Sequence, residues 1–136
     1  MDDFIFELLE TVEAEEGEYF ALIQEAKMVN VNGETKLMMS FRVFDDGGTE
    51  YASKNVWFDQ KPFSRKLLNT FIEALGCDGY NLSEFQKEYV GTWVRMIISD
   101  YEKNGLVYHN VVEFSEAEEP DFGFKESLDN VFEKIV

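Results

Sequence analysis

Lys36, Arg42 and Phe44 fall on even positions of a run, Thr35 to Phe44, whose odd positions Leu37, Met39, Phe41 and Val43 are all apolar. In an extended chain successive side chains point to opposite faces, so this spacing puts two cations and a ring on one face and a core stripe on the other. Tyr51 and Trp57 share a parity in the next run, Thr49 to Phe58, and Trp93 and Arg95 share one between Val90 and Ser99. Lys54 falls on the face opposite Tyr51 and Trp57, and Tyr101 and Lys103 lie in a stretch read as a loop leading to Asn104-Gly105. Cations interleaved with flat side chains suit one ligand chemistry above others, an unpaired polynucleotide. Bases stack on rings for about 1–3 kcal/mol each, while Lys and Arg neutralise phosphates. The competing reading is packing, since most aromatics of a small domain fill its core, and a one-residue slip of register swaps every face assignment.

Catalytic chemistry is poorly supported. His109 is the only histidine and sits inside a run read as a strand, and Cys77 is the only cysteine. Metal sites need several His, Cys or carboxylate ligands at suitable spacing, and no such set is visible. Phosphate-binding and nucleophile-elbow motifs are missing as well, and Asp45-Asp46-Gly47-Gly48 reads as a hairpin turn rather than a carboxylate site. The expectation is a protein that is not an enzyme and uses no cofactor and no metal. An enzyme of unfamiliar type would require a pocket with perturbed titratable groups.

The elements that must carry the candidate residues can be read from punctuation and period. Gly17 to Val29 is β-prone and ends at a turn signal, Asn30 to Glu34. Thr35 to Phe44 and Thr49 to Phe58 follow as second and third strands, joined by Asp45 to Gly48. The period then changes: Phe63, Leu67, Leu68, Phe71, Ile72 and Leu75 form an amphipathic helical stripe, with Pro62 at its start and Gly76 at its stop. A short helical turn around Leu82 to Tyr89 precedes a fourth strand, Val90 to Ser99, and Asn104-Gly105 turns the chain into a fifth, Leu106 to Phe114. Three strands, a helix and two strands make a mainly β chain in the layout of an OB-fold, a five-stranded barrel with its helix between strands three and four. A split sheet with one covering helix gives the same string.

Charge divides the chain into three parts. Residues 1–18 hold eight carboxylates and no Lys or Arg, residues 113–136 hold eight acids against Lys125 and Lys134, and residues 19–112 hold twelve acids and ten bases. The net charge of −16 therefore belongs to the ends, and a nearly neutral middle is free to meet a polyanion. The expected organisation is an acidic N-terminal segment over 1–16, a domain over 17–114 and an acidic tail over 115–136. Phe4, Ile5, Leu8, Leu9 and Val12 give the first segment an apolar stripe, and Phe124, Leu128, Val131, Phe132 and Ile135 give the tail another. Each predicts a short helical segment. The lack of a secretory-type leader and of an apolar run of membrane-spanning length predicts an intracellular protein away from membranes.

Gly17-Glu18-Tyr19, Phe71-Ile72-Glu73-Ala74-Leu75-Gly76, Tyr89-Val90-Gly91-Thr92-Trp93-Val94 and Tyr101-Glu102-Lys103-Asn104-Gly105 together resemble a family of phage and prophage single-stranded DNA-binding proteins from Gram-positive hosts. The likeness covers approximately residues 17–114. It implies an OB-fold, sequence-independent binding of single-stranded DNA, a place in replication or recombination, and a cytoplasmic location in a bacterial or phage-infected cell. The tail residues Phe124, Leu128, Phe132 and Ile135 are then expected to contact replication or recombination proteins. A homodimer through a strand edge or a terminal helix stays open. The alternative reading is an acidic interaction module or DNA mimic, whose carboxylates occupy a partner's nucleic-acid site.

Overall fold

The structure is a computed structural model and describes residues 12–76 and 81–122. Five strands, β1 (Gly17–Val31), β2 (Glu34–Phe44), β3 (Glu50–Phe58), β4 (Trp93–Lys103) and β5 (Leu106–Glu116), form one antiparallel sheet in the order β3-β2-β1-β4-β5. Two helices, α1 (Pro62–Leu75) and α2 (Leu82–Tyr89), fill the connection between β3 and β4. Three hairpin-linked strands and a fourth that returns beside the first make a Greek key. β3 and β5 are the edges, so among the described residues no backbone ladder closes the sheet into a barrel. The fourth strand starts later than expected, because Gly91 takes φ +94° and Val90 to Thr92 form a turn that hydrogen-bonds to Ile23.

Local chemistry accounts for the turns and helix ends. Asn32 and Gly33, and again Asn104 and Gly105, all have positive φ, the conformation that a two-residue hairpin needs. Pro62 occupies the first turn of α1, and Gly76 at φ 65° ends it, its amide donating to Glu73 O. Asn81 caps α2 by accepting from the Glu84 amide at 2.9 Å. The buried stripe of α1 is narrower than its apolar period: Leu67 and Phe71 are buried, whereas Phe63 and Ile72 are exposed.

Three bulges decide which way the strands face. One extra residue sits in β1 at Gln24, one in β3 between Tyr51 and Lys54, and one in β5 at Val112. Each bends its strand and reverses the parity of the residues beyond it. The inner face then carries Ala21, Ile23, Met39, Phe41, Val43, Val94, Met96 and Ile98, all buried, with the two helices packed on this core. Phe71 of α1 is fully buried and meets Phe41 at 5.9 Å and Phe114 at 5.0 Å in edge-to-face geometry, a favourable arrangement for aromatic pairs.

The gap between the sheet edges is bridged by the segment preceding β1. The Val12 carbonyl accepts from the Ala52 amide at 2.8 Å, and Ala14 is fully buried. The Glu15 carbonyl accepts from the Tyr19 hydroxyl at 2.7 Å, and Glu16 Oε1 lies 3.3 Å from both Ser99 Oγ and the Asp100 amide. Of the N-terminal apolar stripe, Val12 is described and is exposed; Phe4, Ile5, Leu8 and Leu9 lie outside the described residues, as do Cys77 and the tail stripe from Phe124 onward.

Candidate nucleic-acid interface

The outer face of the sheet gathers one aromatic cluster. Phe20 of β1 stands opposite Phe44 of β2 and Arg95 of β4. Phe44 and Trp93 have ring centroids 5.5 Å apart. The Arg42 guanidinium lies 5.1 Å from the Phe44 ring centroid, and that of Arg95 lies 4.4 Å from the Phe20 centroid, both within cation–π range. Four of the ten sequence candidates, Arg42, Phe44, Trp93 and Arg95, are thus brought together. Their parity survives because β2 from Arg42 to Phe44 and β4 throughout carry no extra residue.

The other six are dispersed. Trp57 is 45% exposed on the same outer side, opposite Met38. Lys36 also faces outward, 3.8 Å from Asp59 and from Glu34. Tyr101 and Lys103 lie within β4 itself, not in a loop, on its Trp93 side and far out on the β4–β5 hairpin, with Tyr101 opposite Tyr108. Eight residues of strand separate Trp93 from Tyr101, roughly 27 Å. Tyr51 is a correction: the bulge in β3 puts it on the inner side, opposite Val43, so it shares a face with Lys54 and not with Trp57, while Lys54, opposite Phe41, keeps the expected face opposite Trp57.

Tyr51 packs edge-on against Tyr19 at 5.4 Å and its hydroxyl donates to Asp45 Oδ2 at 3.3 Å. Burial raises the pKa of both phenols, and neighbouring carboxylates add to the effect. The Lys54 amine donates to Glu13 Oε1 at 2.6 Å and to the His109 carbonyl at 2.7 Å. Its side chain is 13% exposed, so it ties the N-terminal segment to β3 and β5 across the seam.

The cations of the outer face already hold carboxylates. Arg42 makes a bidentate pair with Glu50 at 2.7 and 2.9 Å, and this hydrogen bonding raises the arginine's pKa and lowers the glutamate's. Arg95 reaches Asp46 at 2.8 Å and Glu18 at 3.2 Å; burial opposes its charge, and the two carboxylates outweigh that opposition. Away from this face, His109 Nδ1 lies 2.6 Å from Asp100 Oδ1, a hydrogen bond that raises the imidazole pKa against partial burial.

Two participants escape the sequence reading. Phe20 lies in a strand to which that reading assigns no parity, although its buried neighbours Tyr19, Ala21 and Ile23 mark it as outward. Phe122, beyond β5, packs on Phe20, Phe44 and Trp93 with centroids 5.6, 5.5 and 6.1 Å away, and no local pattern announces that contact. Among the described residues no group of three or more His, Cys, Asp or Glu is arranged to hold a metal ion. No helix there is long and apolar enough to cross a membrane. Comparison with protein-family models and with curated proteins finds no match.

Proposed function

We propose that this chain binds single-stranded DNA without regard to sequence and acts in phage or prophage DNA replication or recombination, in the cytoplasm of a bacterial or phage-infected cell. The observation that carries the reading is the outer-face cluster of Phe20, Phe44 and Trp93 flanked by Arg42 and Arg95. Rings offer stacking platforms, and the guanidiniums beside them can meet the phosphates. On this reading the Greek-key sheet is an OB-type barrel left partly open at the β3/β5 seam. Trp57 extends the track across β3, and Tyr101 and Lys103 extend it along the hairpin. The tail residues Phe124, Leu128, Phe132 and Ile135 serve partner proteins of the same replication or recombination machinery.

The engagement of Arg42, Arg95, Lys36 and Lys54 with carboxylates favours a second reading, an acidic protein-interaction module or DNA mimic. Titration of fluorescent oligo-dT with the full chain at several salt concentrations separates the two. The full chain is the appropriate reagent because Glu13 and Ala14 are part of the packed structure. Single-strand binding predicts saturable affinity that falls with salt and is not shared by a duplex of equal length. Absence of binding at the lowest salt refutes it and leaves the acidic module.

A further inference from the structure

Resting on the single-strand reading above, we infer that the seat beneath Phe122 is a stacking site for one nucleobase, and that Phe122 closes this site in the free protein. The seat is built for a flat ring. Phe20 and Trp93 present their faces or edges at 74° and 76° to Phe122, and Phe44 lies tilted at 32°, so the ring is enclosed on three sides by aromatic carbon. Gly48 supplies the opening on the fourth. A Cβ there would stand 2.8 Å from the Phe122 Cβ and 2.9 Å from its Cγ, closer than such atoms approach.

The chain leading to Phe122 has little backbone support. Residues 117–122 form neither helix nor strand, and residues 117–120 make no backbone hydrogen bonds with other described residues. The ring contacts to Phe20, Phe44 and Trp93 help to hold the segment down, and another ring of similar size competes for them. A nucleobase brings that ring, and its own phosphates fall beside Arg42 and Arg95, which flank the seat. Phe122 instead brings Asp121 as its chain neighbour, with Glu118 and Glu119 close behind. The closed state thus keeps an acidic stretch of chain on the ring cluster, and the open state frees the seat for a base and its phosphate. Closure is an intramolecular competition, so its strength sets how far the measured affinity falls below that of the bare seat.

The test is an oligo-dT titration of the full chain beside its Phe122→Ala and Gly48→Ala variants at one low salt concentration. Phe122→Ala is expected to bind about three- to tenfold more tightly, the range of a single aromatic pair, whereas Gly48→Ala narrows the seat for ring and base alike and is expected to show no such gain. A Trp57→Phe background leaves Trp93 as the remaining tryptophan, and there Phe122→Ala shifts its emission to the red before any DNA is added. Equal affinity in all three proteins, or weaker binding by Phe122→Ala, overturns the closure and leaves single-strand binding standing. No binding by any of them overturns the single-strand reading, and the closure with it. Gly48 has φ +89°, so Gly48→Ala also strains its turn; Phe122→Ala adds no strain and decides the matter if Gly48→Ala does not fold.

Discussion

Replacing Lys54 by methionine removes the ammonium that joins three parts of the chain while keeping most of the buried stem. Two hydrogen bonds disappear, the 2.6 Å contact to Glu13 and the 2.7 Å contact to the His109 carbonyl. Glu13 is 56% exposed, so its share is discounted for solvent to about 0.5 kcal/mol. The bond to His109 is worth more: its donor is charged and largely buried, and removal leaves a carbonyl short of a partner, at about 1–3 kcal/mol. Relief of the lysine's desolvation and rotamer restriction offsets part of this, for a net loss of about 2 kcal/mol. With an unfolding entropy of about 2.1 cal/mol/K per residue, the melting temperature falls by roughly 7 °C. Thermal unfolding followed by circular dichroism reads the total, and a double-mutant cycle with Glu13→Gln isolates the ion pair. Amide exchange locates the effect, because the Ala52 N–H is bonded to Val12 across the same seam and should exchange faster in Lys54→Met. A melting temperature within about 1 °C of the parent, with Ala52 exchange unchanged, refutes the assignment of Lys54 as the tie between the N-terminal segment, β3 and β5.

Trp57→Ala should weaken oligo-dT binding by roughly 5- to 100-fold and leave folding intact, since the ring is 45% exposed; unaltered affinity removes it from the track. Trp93→Ala should weaken binding and also cost about 1–2 kcal/mol of stability, read by urea titration, because its ring packs on Phe44 and Phe122. Phe71→Ala should cost about 3–5 kcal/mol through an unfilled core site, and a loss below about 1 kcal/mol contradicts its central packing. His109, raised by its hydrogen bond to Asp100, contributes stability that is fully present below its unfolded pKa of about 6.5 and is lost as pH rises through its higher folded value. Imidazole resonances followed by NMR should show that raised value, and Asp100→Asn should lower it; no change on substitution excludes Asp100 as the cause.

Element order was legible because this chain marks its turns with residues suited to positive φ and marks α1 with a proline and a glycine. Faces were legible only where strands run without interruption. Arg42 and Phe44 keep their parity, as do Trp93 and Arg95. Between Tyr51 and Lys54 the extra residue reverses the parity, and nothing in Tyr51-Ala52-Ser53-Lys54 declares a bulge. Tyr51 is therefore a partner of Tyr19 rather than a surface ring, while Lys54, on the face opposite Trp57 as its parity predicts, is a seam contact. Closure of the sheet was illegible for a related reason. It depends on whether two edge strands meet, and here the segment 12–16 lies at the seam through contacts to residues far along the chain.

The pairing of the outer-face cations changes what must drive binding. A phosphate that reaches Arg42 or Arg95 does not meet a bare charge; it displaces Glu50, or Asp46 and Glu18, which are then returned to water. The exchange trades one anion for another on the same guanidinium, so its net gain is smaller than that of an unpaired arginine, and fewer counterions are released per contact. Among the described residues the cations without an ion-pair partner are Lys61, Arg65, Lys66, Lys87 and Lys103, which lie on or just before the helices and at the hairpin end rather than in the ring cluster. On the proposed single-strand reading, stacking then supplies most of the affinity at the cluster, since the unpaired lysines and Arg65 lie away from it and add only a diffuse attraction. A surface organised this way has no donor or acceptor pattern dedicated to one base, because every base has a face to stack. On the proposed single-strand reading, tolerance of sequence then follows from the same feature that makes the rings, and not the charges, the main determinants of binding.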